Sequence, residues 1–86
     1  MSKELEPELE QIFSSDLPEI EKLARAFRSI TDTCAEAVEN EIEVVRVLGD
    51  QEAAIRGQIR SSTMRHAQTI FSDCFRRATG RRAWDE

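Results

Sequence analysis

Between Pro18 and Gly49 the chain runs for thirty residues without a glycine or a proline. Apolar side chains recur through this stretch at Ile20, Leu23, Phe27, Ile30 and Cys34, in alternating steps of three and four. Such steps gather side chains on one face of an α-helix, whereas a strand would scatter them over both faces. The stretch therefore predicts one long helix. Asp16 followed by Glu19 matches the acidic form of a capping box, and Glu19 and Glu21 suit the positive end of the helix dipole, so the start is expected near Asp16 or Leu17. Gly49 is placed to end the helix in the left-handed conformation, and Asp50 to cap the next one at once. Beyond Cys34 the strict heptad would use Ala37, Glu41 and Val44. The larger apolar residues Val38, Ile42, Val45 and Leu48 sit one place later, which reads as a stutter in the stripe.

A second helix is expected over 51–79, with Gly80 as its stop. Its stripe is Ile55, Ile59, Thr63, Ala67, Ile70, Cys74 and Ala78, widened on one side by Phe71 and Phe75. Gly57 and the Ser61-Ser62-Thr63 run lower helix propensity, which marks the first half as the weaker part. The Gly49-Asp50 joint allows a reversal or a kink, and opposite charge in the two halves favours reversal. Residues 1–52 carry fourteen acidic and five basic side chains, while 53–86 carry three acidic and seven basic, all of the latter arginine. Glu36, Glu39 and Glu43 are expected to face Arg56, Arg60 and Arg65.

The expected fold is all-α: one domain over 1–86, a long antiparallel helical hairpin with a short N-terminal helix. Its parts are an acidic segment 1–15, helices 16–48 and 51–79, and an Arg/Trp tail 80–86. Leu5, Leu9, Ile12 and Phe13 give the acidic segment helix spacing, with docking through Ile12 and Phe13. Five aromatics make a thin core for a chain this short, and one helix covers only one side of its neighbour's stripe. Dimerisation into a four-helix bundle is the expected remedy. Phe27 and Ile70, in mid-stripe, are expected to be core residues, and Cys34 and Cys74 small core side chains rather than a disulfide scaffold.

Catalytic chemistry has little to build on. The chain has one histidine, no tyrosine and no glycine-rich phosphate loop. His66 has Asp73 and Cys74 two turns away, which is not metal-ligand spacing. Glu36, Glu39 and Glu43 are spaced as in diiron bundles, but the Glu-x-x-His repeat of those sites is missing. No enzyme, metal or cofactor is expected. No apolar run approaches the roughly 20 residues of a membrane span, and the opening MSKELEPELE is too acidic for a signal or transit peptide, so a cytoplasmic location is expected.

The stretch from Ala35 to Thr79 resembles the core of the phasins, small helical proteins that coat polyhydroxyalkanoate granules. The likeness is one of pattern: a long helix, a short connection with Leu48 and Asp50, then a helix carrying Gln58 and, later, Phe71. The resemblance implies no enzymatic activity, coiled-coil-like oligomers, and adsorption of an amphipathic face (Ile55, Ile59, Ile70, Phe71, Phe75) on a hydrophobic granule. A second reading is a small dimeric protein-interaction module or regulatory antagonist, in which Phe27, Ile30, Val38 and Ile42 join that apolar interface. A third is an arginine-rich nucleic-acid binder, which must overcome a net charge of −5 because phosphate affinity comes largely from neutralised backbone charge. In every reading Arg76, Arg77, Arg81, Arg82 and Trp84 form a partner-binding tail.

Overall fold

The computed structural model describes residues 5–84, and its elements are three helices: α1 (Leu5–Ser14), α2 (Glu19–Val47) and α3 (Gln51–Thr79). Residues 1–4 and 85–86 of the expected terminal segments lie outside the described residues. α2 and α3 pair along their lengths as an antiparallel hairpin, and α1 packs on α2. The Cα atoms span 47 × 29 × 15 Å. The long axis matches a 29-residue helix at about 1.5 Å per residue, and the short axis leaves a slab about one helix thick.

The hairpin turn follows from its residues. The Gly49 N–H donates to the Arg46 carbonyl and the Asp50 N–H to the Val45 carbonyl, the paired bonds of a Schellman ending, with Gly49 at φ 82°. The Asp50 carboxylate then accepts from the Ala53 N–H and starts α3. Gly80, at φ 73°, ends α3. The start of α2 departs from expectation: it begins at Glu19, with Pro18 at the N-cap and no side-chain cap. A cap at Asp16 would require Leu17 to be helical, and the residue before a proline is pushed out of that region.

The seam between α2 and α3 is not the stripe of large residues. At the seam the buried positions of α2 are Ala24, Thr31, Ala35, Val38 and Ile42, and those of α3 are Ala54, Gly57, Ser61 and Phe75; Ala26 is buried as well, outside this register. Both seam sets keep one strict heptad register, so α2 has no stutter. It carries two stripes side by side, a small-residue stripe inside and a large-residue stripe outside. Small side chains let the helices approach closely, and the stretch of α3 with weak helix propensity is where they are closest. A Cβ on Gly57 would lie 2.7 Å from Ile42 Cγ1. Gly57→Ala gains about 1 kcal/mol of helix propensity but overpacks a buried side chain at a cost of roughly 1–3 kcal/mol, so a net loss is expected. In denaturant melts the loss should shrink sharply in an Ile42→Ala background, which removes the clashing atom. Additive losses would contradict the close approach.

Polar bonds cross the middle of the seam. Arg65 Nη1 lies 2.6 Å from Asp32 Oδ1 and its Nη2 lies 3.6 Å from Glu39, while Ser61 donates to Glu39 at 2.8 Å. The Gln68 amide donates to Thr31 Oγ1 at 2.7 Å and to Asp32 Oδ1 at 2.8 Å. Arg60 lies 3.8 Å from Glu41. The halves attract as expected and Glu39 meets Arg65, but the other partners differ: Arg60 reaches Glu41, while Arg56 pairs with Glu52 and Glu43 with Arg46, each within its own helix.

At the end opposite the turn, Phe71 links an aromatic cluster. Its ring stacks on Phe27 at 4.6 Å between centroids, on Trp84 at 6.0 Å and on Phe75 at 6.4 Å. Ala24, Phe75, Ala83 and Trp84 form one buried cluster with Phe71 against it. Arg28 lies over the Trp84 ring at 5.6 Å, and Arg81 pairs with Glu21. The part of the expected partner-binding tail that is described is thus folded back through Trp84, because the small seam leaves an apolar gap between the helix ends that an indole fills. α1 docks with Leu5, Leu9 and Ile12 half-buried, while Phe13 is exposed. Glu8 accepts from Ser29, and Lys22 donates to the Phe13 carbonyl.

Candidate interaction surface

The residues expected to form one apolar interface fall into two groups. Val38, Ile42 and Phe75 are buried, and Phe27 and Phe71 half-buried, inside the hairpin. Ile30, Ile55, Ile59 and Ile70 are exposed, Ile59 at 61%. Cys34 and Cys74 are exposed as well, contrary to their expected core role, because Cys34 belongs to the outer stripe.

Leu23, Phe27, Ile30, Cys34, Ala37 and Val44 each stand one residue before a seam position of α2. At about 100° per residue they form a flank next to the seam. On α3, Ile59 stands two residues from Gly57 and from Ser61 and so points away from α2, while Ile70, next to Phe71, is 51% exposed at the edge of the seam. Ile55, Ile59, Thr63 and His66 line a shallow, mostly apolar groove on the outer face of α3. The turn adds Val47 and Leu48, 84% and 76% exposed. The molecule therefore offers aliphatic surface in two directions, about a quarter turn apart.

A cleft of different character lies near the Trp84 end. About 610 Å³ in volume, it sits between Asp32 and Arg28 of α2, Gln68, Ser72 and Arg76 of α3, and Arg82 and Trp84 of the folded-back segment. Of the expected tail residues, Arg76 and Arg82 face this cleft. Arg77 pairs with Asp73 at 3.0 Å and Arg81 with Glu21, so the arginines are divided between binding the chain itself and facing solvent. Asp32 and Gln68, which Arg65 and Thr31 engage across the seam, escaped the sequence reading. Their signal was the heptad position of Gln68, a polar residue in line with Ser61 and Phe75.

Fold and surfaces define a class: an antiparallel α-helical hairpin, flanked by a short helix, with aliphatic faces outside and a small-residue seam inside. No protein-family description, curated protein or solved structure matches the chain. Among the described residues, no helix is long and apolar enough to cross a membrane and no cluster of side chains could hold a metal ion.

Proposed function

We propose that the protein is a non-enzymatic amphipathic coat that adsorbs on a hydrophobic granule in the manner of the phasins and associates with copies of itself. The observation that carries this reading is the placement of size: alanine, glycine and serine make up much of the seam beside Val38, Ile42 and Phe75, while Leu23, Ile30, Val44, Ile55, Ile59 and Ile70 stay outside. Contiguous exposed apolar surface marks an interaction site, and a coat needs two such faces, one for the surface it covers and one for its neighbours. The outer face of α3 suits adsorption. The flank of α2 keeps heptad spacing and suits a helical partner, most simply a second copy completing a four-helix bundle.

Pelleting with polyhydroxyalkanoate particles tests the reading. Adsorption should survive 1 M salt, since burial of apolar area is not screened. The Ile55→Ser/Ile59→Ser double variant should lose adsorption with little change in melting temperature. No adsorption, or adsorption that salt removes, would overturn the granule reading. Sedimentation at tens of micromolar should show a dimer, and a compact monomer would remove the bundle.

The heptad spacing of the α2 flank also favours a second reading, a module that binds one protein partner. Saturation at a fixed stoichiometry, with no affinity for particles, would select it. The nucleic-acid reading is the weakest of the three, because Arg77 and Arg81 are held by carboxylates of the chain.

A further inference from the structure

We propose that the cleft beside Trp84 is a binding site for a phosphate monoester dianion, held by Arg76 and Arg82. The charge arrangement is the first reason. The carboxylates near the cleft are already engaged: Asp32 with Arg65 and Arg28, and Asp73 with Arg77. Arg76 and Arg82 line the same cleft without a carboxylate partner among the described residues. Two guanidinium groups with no carboxylate partner among the described residues match one dianion. A single carboxylate would leave one of them unmatched.

The donor set is the second reason. Guanidinium forks fit phosphate oxygens in pairs, and Ser72 adds a hydroxyl on the same wall. The third reason excludes a stacked planar ligand. Trp84 is 8% exposed, with Phe71 stacked at 6.0 Å and Arg28 over the ring at 5.6 Å, so the indole closes the cleft without offering a platform. The negative end of the α3 dipole opposes an anion, but it amounts to about half a charge and fades within the last turn, where Arg76 and Arg77 already sit. Two full positive charges outweigh it. The site rests on no part of the granule reading.

Trp84 is the only tryptophan and the chain has no tyrosine, so intrinsic fluorescence reports on this cleft alone. The full chain would be titrated near pH 7.5, where the monoester is mainly dianionic, with inorganic phosphate, with glycerol phosphate, and with phosphatidylcholine vesicles with or without phosphatidic acid. A saturable emission change is expected with phosphate, and none with acetate at matched ionic strength. Arg76→Gln and Arg82→Gln should each weaken it about tenfold, the loss of one charge-assisted contact, while Arg56→Gln, at a residue that pairs with Glu52 away from the cleft, keeps it. A response to the soluble esters identifies a soluble source, and one confined to phosphatidic acid vesicles a lipid headgroup. Both support the site if the two glutamine variants lose it. No response in any arm, an equal response to acetate, or glutamine variants that respond as the parent does while retaining its helical circular dichroism would overturn it.

Discussion

Phe75→Ala is expected to lower the stability of the chain by about 3–5 kcal/mol, the usual cost of removing a buried aromatic ring. Phe75 is 4% exposed and belongs to the cluster of Ala24, Ala83 and Trp84 that closes one end of the hairpin. Around it are alanines and flat rings, which cannot swing in to fill the void, so the cavity cost adds to the lost transfer energy. For a domain of this size each kcal/mol moves the melting temperature by roughly 4–8 °C, and the variant should melt at least ten degrees (~10 °C) earlier. Ile70→Ala is the contrast. Ile70 was expected in mid-core but is 51% exposed, and its truncation should cost less than about 1 kcal/mol in the isolated chain. Equal losses at the two positions in urea melts would mean that Ile70 is covered in solution.

Trp84→Ala should be the second large loss, about 3 kcal/mol. The indole is 8% exposed, stacks on Phe71 and lies under the Arg28 guanidinium. Its removal uncovers Ala24 and Phe75 together and releases the segment that carries Arg82. Trp84→Phe, which keeps a ring against Phe71, should recover most of the loss. If Trp84→Ala melts with the parent chain, residues 81–84 are a loose tail and the cleft they wall does not persist.

The helices were legible because glycine and proline punctuate this chain sparingly. Gly49, Asp50 and Gly80 set the turn and the stop through local backbone chemistry alone, and all three act as their residue types predict. The seam was harder to read for a physical reason. A search for apolar periodicity weights isoleucine above alanine, and α2 carries two heptads one residue apart. The greasier one, Leu23, Phe27, Ile30 and Cys34, drew the reading through the first half of α2, where Ala24, Thr31 and Ala35 form the contact; the apparent stutter at Val38 and Ile42 was the reading rejoining the seam. Close packing of backbones gains as much from small size as ordinary packing gains from bulk, and only the strict register of Ala54, Gly57 and Ser61 with Gln68 and Phe75 could have announced it. The cleft was half legible. Arg82 and Trp84 stood out by type, but Arg28, Gln68 and Ser72 reach it through tertiary placement that local sequence does not encode.

The link between Arg81 and Glu21 spans 60 positions of the chain, whereas the turn at Gly49 joins neighbours. Contacts that close short loops form fast, and those that close long loops form late. Zippering of the hairpin should therefore begin at the turn and run outward, with the aromatic clasp shut last. Until Ala83 and Trp84 close over Ala24 and Phe75, the zippered hairpin keeps an open mouth at the end away from the turn.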